Sequence, residues 1–161
     1  MRIRPLVQSD CEPIRGILQD TQVFNEEEIL IALELIDIVL NVPQQKDYEI
    51  VTAVDEEEQV VGYVCVGPTP GTAATYDLYW IAVAPQTHGK GIGKTLMRWT
   101  EEHIEARGGR LIVAETSSTE KYTATRNFYL KCGYEQLARI REYYRPGDDL
   151  VVYGKYLSQH R

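Results

Sequence analysis

Apolar residues recur along this chain with two periods, near 3.6 and near 2, and the switches between them predict its elements. Arg2 to Val7 reads as a short strand. Ser9-x-x-Glu12 has the form of a capping box, with Pro13 in the first helical turn and Ile14, Ile17 and Leu18 on one face. Asn25 is expected to cap a second helix, with Glu26, Glu27 and Glu28 at the positive end of its dipole. From Ile29 to Leu40 that helix is apolar nearly all round, broken only by Glu34 and Asp37. Such a helix is either buried or covers an acceptor groove or a dimer partner, and burial is the simpler expectation. Asn41 and Pro43 end it.

Tyr48 to Val54 and Val60 to Val66 form two strands around the acidic turn Asp55-Glu56-Glu57-Glu58. Pro68-Thr69-Pro70-Gly71 turns the chain into a β-branched and aromatic run from Tyr76 that Pro85 stops, because proline cannot donate to a ladder. A glycine-rich turn follows, and then a helix with Ile92, Leu96 and Trp99 that runs to about Arg107 and closes on Gly108-Gly109. Leu111 to Glu115 is a short buried strand. Thr119 caps a further helix holding Tyr122, Phe128, Tyr129 and Cys132, which ends at Gly133. Tyr134 to Tyr144 and Leu150 to Leu157 close the chain as strands, with Arg145-Pro146-Gly147-Asp148-Asp149 as their turn. With no repeat, linker or low-complexity segment, residues 1–161 are expected to form a single domain.

Composition narrows the function. No stretch approaches the ~20 uncharged residues of a membrane span, and the start Met1-Arg2-Ile3-Arg4-Pro5 lacks the apolar core of a signal peptide. Cys11, Cys65 and Cys132 are scattered, which suggests neither a disulfide framework nor a metal site, so a reduced cytoplasm is the expected home. The net charge of −7 argues against nucleic-acid binding and is compatible with a cationic substrate.

The chemistry concentrates at the turn after the aromatic run, Gln86-Thr87-His88-Gly89-Lys90-Gly91-Ile92-Gly93-Lys94-Thr95. Glycines at a strand-to-helix turn let backbone N–H groups approach a ligand, and the helix N-terminus adds its positive dipole end. With Lys90 and Lys94 of the right sign, the place suits a phosphate or diphosphate. A P-loop would need a glycine where His88 stands, and that reading fails by one residue. The dinucleotide fingerprint fails as well, since the spacing is Gly89-x-Gly91-x-Gly93 and no βαβ unit opens the chain.

His88-Gly89-Lys90-Gly91-Ile92-Gly93, after Ile81-Ala82-Val83-Ala84-Pro85, resembles the acyl-coenzyme A cradle of the GNAT N-acetyltransferase superfamily, with His88 where Gln or Arg is usual. Arg126-Asn127-Phe128-Tyr129-Leu130-Lys131-Cys132-Gly133-Tyr134 is similar to a second segment of that family. The resemblance implies a mixed α/β fold, a central mixed sheet of about seven strands flanked by about four helices. It implies acetyl-coenzyme A as co-substrate, no metal, and acetyl transfer to a primary amine of a small molecule or a protein N-terminus. The pantetheine arm would bond the backbone of Ile81, Ala82 and Val83, and the diphosphate would rest on His88, Gly89, Lys90, Gly91, Ile92, Gly93 and Lys94.

The resemblance also implies roles at the reacting centre. Tyr129 would be the acid that protonates the departing thiolate, the alternative being a core aromatic beside Phe128. Glu115 or Asp77, the latter through a water, would be the base, or else each is a structural carboxylate. Tyr76, Tyr79, Trp80, Tyr143 and Tyr144, with Asp148 and Asp149, would line an acceptor site suited to a cation. The alternative for most of these is half-buried strand aromatics. The rival functions are a non-catalytic coenzyme A binding or sensing module on the same fold and an ATP-binding P-loop protein. A homodimer is allowed and not required.

Overall fold

The structure, a computed structural model, describes residues 1–157. Strands and helices follow the order read from the sequence: β1 (Arg2–Pro5), α1 (Cys11–Asp20), α2 (Glu26–Asn41), β2 (Glu49–Val54), β3 (Val60–Pro68), β4 (Thr75–Val83), α3 (Ile92–Ala106), β5 (Leu111–Ser117), α4 (Thr123–Lys131), β6 (Glu135–Arg145) and β7 (Asp148–Tyr156). The seven strands form one sheet in the order β1-β2-β3-β4-β5-β7-β6. It is mixed, as expected: β4 and β5 pair parallel, while β1–β2, β2–β3, β5–β7 and β6–β7 pair antiparallel. Contacts divide the chain into two compact units, Met1–Gly67 with Tyr79–Thr100, and Pro68–Leu78 with Glu101 onward, so β4 and α3 each serve both.

In the first unit, α1 buries Ile14, Ile17 and Leu18, and α2 buries Ile29, Ala32 and Ile36, in a cluster with Ile50, Tyr63, Cys65, Ala82 and Ala84. Phe24 meets Trp80 edge to face, with ring centroids 5.0 Å apart. The Asn25 cap forms as expected: Asn25 Oδ1 accepts the Glu28 N–H at 2.8 Å, and Glu28 Oε1 accepts the Asn25 N–H at 3.1 Å. The even apolar coating of α2 is only partly buried, for Leu30 and Ile31 remain 56 % and 49 % exposed.

The start of α1 differs from the expected Ser9 capping box. Asp10, 1 % exposed, takes that place: its carboxylate accepts the Val7 N–H and both terminal nitrogens of Arg4, at 2.7 and 2.8 Å. Burial alone would raise the Asp10 pKa, but the Arg4 guanidinium, the Val7 amide and Thr52 together hold it below the ordinary carboxylate value. A charge met by four donors outcompetes a serine with one.

The second unit is built on β5 and β7, which pair along their length from Leu111↔Tyr156 to Ser117↔Leu150. Tyr129 of α4 packs on Tyr134 and Tyr153, centroids 5.9 and 5.7 Å away. The two predicted glycine stops hold. Gly108 (φ +83) and Gly133 (φ +86) take the left-handed conformation, and the N–H groups of Gly109 and Tyr134 return to the Ile104 and Tyr129 carbonyls. The last turn is tighter than expected, Pro146-Gly147, because Arg145 and Asp148 pair as strand residues.

Candidate active site

The glycine-rich turn grows out of β4. Pro85 ends the strand and opens a single 3-10 turn, Pro85–Thr87. The His88 N–H donates to the Pro85 carbonyl and the Lys90 N–H to that of Thr87, so these two amides are consumed inside the turn. Gly89 (φ +87) and Gly91 (φ +77) lie in the left-handed region, and a Cβ built on either would meet nothing within 4 Å. Glycine stands at both for conformation, and open space lies where side chains would be.

The first bond of α3 closes from the Thr95 N–H to the Gly91 carbonyl at 3.0 Å, reinforced by the Thr95 hydroxyl at 2.9 Å. The amides of Ile92, Gly93 and Lys94, in the first turn, therefore have no intrahelical acceptor and face the end of the macrodipole. Lys90 and Lys94 are exposed beside them, and Ile92 anchors the helix by burial. His88 is exposed, its Nε2 3.3 Å from the Val83 carbonyl oxygen. Behind the turn, Gly62 of β3 lets β4 and α3 come close, for a Cβ there would stand 3.0 Å from the Ala82 oxygen and 3.1 Å from Leu96. In the run Ile81-Ala82-Val83, only Ala82 is fully buried. These residues fit a diphosphate-bearing ligand: free amides, two cations and room.

The second unit holds the other candidates. Its parallel ladder is short, Thr75–Asp77 of β4 against Leu111–Val113 of β5. Asp77, half-buried, is the last β4 residue in it, and Glu115, two residues past the ladder on β5, is exposed. Tyr129 is buried, and burial pushes its phenol pKa above the ordinary value, with the Cys132 thiol adding to the shift. Its hydroxyl therefore stays protonated throughout the physiological range. Lys155 Nζ donates to Glu101 Oε1 at 2.8 Å and to the Cys132 carbonyl at 3.0 Å, which ties down the end of α4.

The β5–α4 connection is closed by side chains that sequence reasoning had not joined. The Ser117 hydroxyl donates to Asp148 Oδ1 at 2.5 Å, both residues being buried. Arg126 donates to the Ser117 and Thr119 carbonyls at 2.8 and 2.7 Å, and Ser118 Oγ accepts the Asp149 N–H at 2.8 Å. Asp149 also accepts from Arg139 Nε and the Glu142 N–H. Both carboxylates of the expected acceptor lining, Asp148 and Asp149, are thus engaged by their own chain. Of the lining aromatics, Trp80 packs on Phe24 and Tyr79 on Tyr48, while Tyr143 and Tyr144 stay exposed. No local signal marks Asp148 as buried; its partner lies 31 residues away.

The open glycine turn lies at the mouth of a helix within a seven-stranded mixed sheet, β4 handing over to α3. The family model for the "Acetyltransferase (GNAT) domain" matches residues 46–136, and the chain belongs to the GNAT acetyltransferase family, an acyltransferase by that membership. It is 37 % identical to a Desulfovibrio desulfuricans protein assigned to that family, covering 98 % of this chain and 99 % of that one with a TM-score of 0.90. Two further structures share the fold. A ribosomal-protein-alanine N-acetyltransferase from Brucella melitensis is 24 % identical, with 98 % and 100 % of the two chains covered and a TM-score of 0.76. An aminoglycoside 6'-N-acetyltransferase complexed with coenzyme A is 17 % identical, with 98 % and 97 % covered and a TM-score of 0.74. No curated protein matches the sequence. No helix among the described residues is long and apolar enough to cross a membrane.

Proposed function

We propose that this protein is a cytoplasmic single-domain N-acetyltransferase that moves the acetyl group of acetyl-coenzyme A onto a primary amine of a small molecule or a protein N-terminus. The turn at Gly89 and Gly91 carries this reading, with two left-handed glycines and open space above each at the mouth of α3. Acetyl-coenzyme A, when bound, supplies an activated thioester. The amides of Ile92, Gly93 and Lys94 and the charges of Lys90 and Lys94 hold its diphosphate, with Gly89, Gly91 and exposed His88 shaping the approach. The main chain of Ile81, Ala82 and Val83 aligns its pantetheine arm. Tyr129, kept neutral by burial, gives a proton to the departing sulfur. Glu115, exposed on β5, or Asp77 takes the proton that the acceptor ammonium must lose before it attacks.

A screen of amines, polyamines, aminoglycosides and N-terminal peptides, read by liberated thiol, tests the activity. With an active acceptor, Tyr129→Phe is expected to lower kcat on the order of 100-fold while KM for acetyl-coenzyme A holds. An unchanged kcat would remove the acid role. The burial of Tyr129 between Tyr134 and Tyr153 favours a second reading, a coenzyme A binding module without transfer. Coenzyme A raising the melting temperature while no amine elicits thiol would establish it.

A further inference from the structure

We propose that the outer edge of β6 docks an extended acidic peptide, added to the sheet as a further strand. This goes beyond acetyl transfer and does not depend on it. β6 ends the strand order, so β7 is its one strand neighbour among the described residues and no further strand pairs with its outer side. All eleven of its residues are exposed, Leu137, Ile140, Tyr143 and Tyr144 by 38, 49, 56 and 42 %.

The edge ends in a built feature. Four residues, Arg141–Tyr144, stand opposite the single residue Asp149 of β7. Within this bulge Glu142 is left-handed (φ +53), a strained conformation for a residue with a side chain. Three bonds hold it: Asp149 Oδ1 accepts the Glu142 N–H at 2.8 Å, Asp149 Oδ2 accepts Arg139 Nε at 2.7 Å, and Glu142 Oε2 accepts the Gly147 N–H at 3.1 Å. Tyr143 and Tyr144, 5.1 Å apart and edge to face, are displayed by it.

Charge selects the occupant. Those bonds engage Arg139 and Glu142 internally, while Arg141, which acts on Asp149 only through its charge, and Arg145 stay exposed as cations around the tyrosines. The chain as a whole carries −7, so an acidic ligand needs a local cationic patch, and Arg141 and Arg145 supply one on this edge. A second copy fits less well. Two-fold antiparallel pairing about Ile140, the middle of the strand, sets Arg139 against Arg141 but also Glu135 against Arg145, so charge gives a second copy no net gain, whereas carboxylates of a peptide would meet Arg141 and Arg145 alone. An unpaired edge beside a small basic and aromatic patch instead suits a peptide with carboxylates on one face and apolar side chains on the other.

The test uses the full chain and fluorescein-labelled peptides of equal length, alternating valine with glutamate, lysine or serine, and reads anisotropy. The glutamate peptide is expected to bind at least tenfold tighter than the lysine peptide and to weaken as salt rises. The double variant Arg141→Glu, Arg145→Glu should reverse that order. A glutamate peptide N-methylated at alternate amides should lose binding, because it cannot pair with the edge. Equal affinity for the three peptides, or an unchanged order in the double variant, overturns the inference. So does undiminished binding of the methylated peptide. Sedimentation showing a dimer that the double variant disperses would overturn it too, in favour of a second copy. An unaltered melting temperature confirms that each variant is folded.

Discussion

Two strand-to-helix connections in this molecule solve the same geometric problem in opposite ways. Between β4 and α3 the chain uses glycines, leaves the first helical amides without acceptors and keeps open space above Gly89 and Gly91. Between β5 and α4 it uses Ser117, Ser118, Thr119 and Arg126, and these side chains are bonded to the loop or to the start of β7. A connection left open can receive a ligand, whereas one closed on itself can only hold its helix in place. Under the proposed function, the first connection would bind the co-substrate and the second would position α4.

The largest effect should come from closing the open turn. Gly91→Val forces a β-branched residue into a left-handed conformation and fills the empty space, and should weaken coenzyme A on the order of 100-fold, about 3 kcal/mol, by titration calorimetry. Binding that survives this change would make the open turn a mere bend. Opening the closed turn acts on stability instead. Arg126→Met strips the Ser117 and Thr119 carbonyls of their donor and should cost about 2 kcal/mol in urea unfolding, with the coenzyme A affinity of the folded protein retained. Lost affinity in a stably folded variant would blur the division of labour.

The smallest effect is a local one in acid. The Glu142 amide and the Arg139 guanidinium hold the Asp149 pKa below its ordinary value. A depressed folded pKa contributes stability that is present above the unfolded value, about 3.9, and is lost as pH falls through the folded one. Amide exchange at Glu142 should therefore be protected above pH 4 and released below it, ahead of the β5–β7 ladder. Simultaneous release of both would show that Asp149 holds nothing separately.

Features set by neighbouring residues were legible before any coordinates. The Asn25–Glu28 cap, the stops at Gly108 and Gly133, the hairpin over Asp55–Glu58 and the glycine turn itself depend on a few residues at fixed offsets. Features made by distant partners were not. Ser9 and Glu12 look like a capping box until Arg4 and Thr52, the latter 42 residues from Asp10, complete a pocket for the Asp10 carboxylate. The sequence places Asp148 and Asp149 in a turn, and only the pairing of β7 with β5 on one side and β6 on the other brings Ser117 to the one and Arg139 and Glu142 within reach of the other. The bulge at Arg141–Tyr144 belongs to the same class, since bonds to Asp149 on the facing strand help to hold it.

The seat of Cys65 within the apolar cluster of the first unit has a practical consequence at the bench. Burial pushes its thiol up to about 12, so at neutral pH almost none of it is the thiolate that attacks disulfide reagents. A chromogenic assay following coenzyme A release thus begins with a silent Cys65, and a blank without acceptor has only Cys11 and Cys132 to account for.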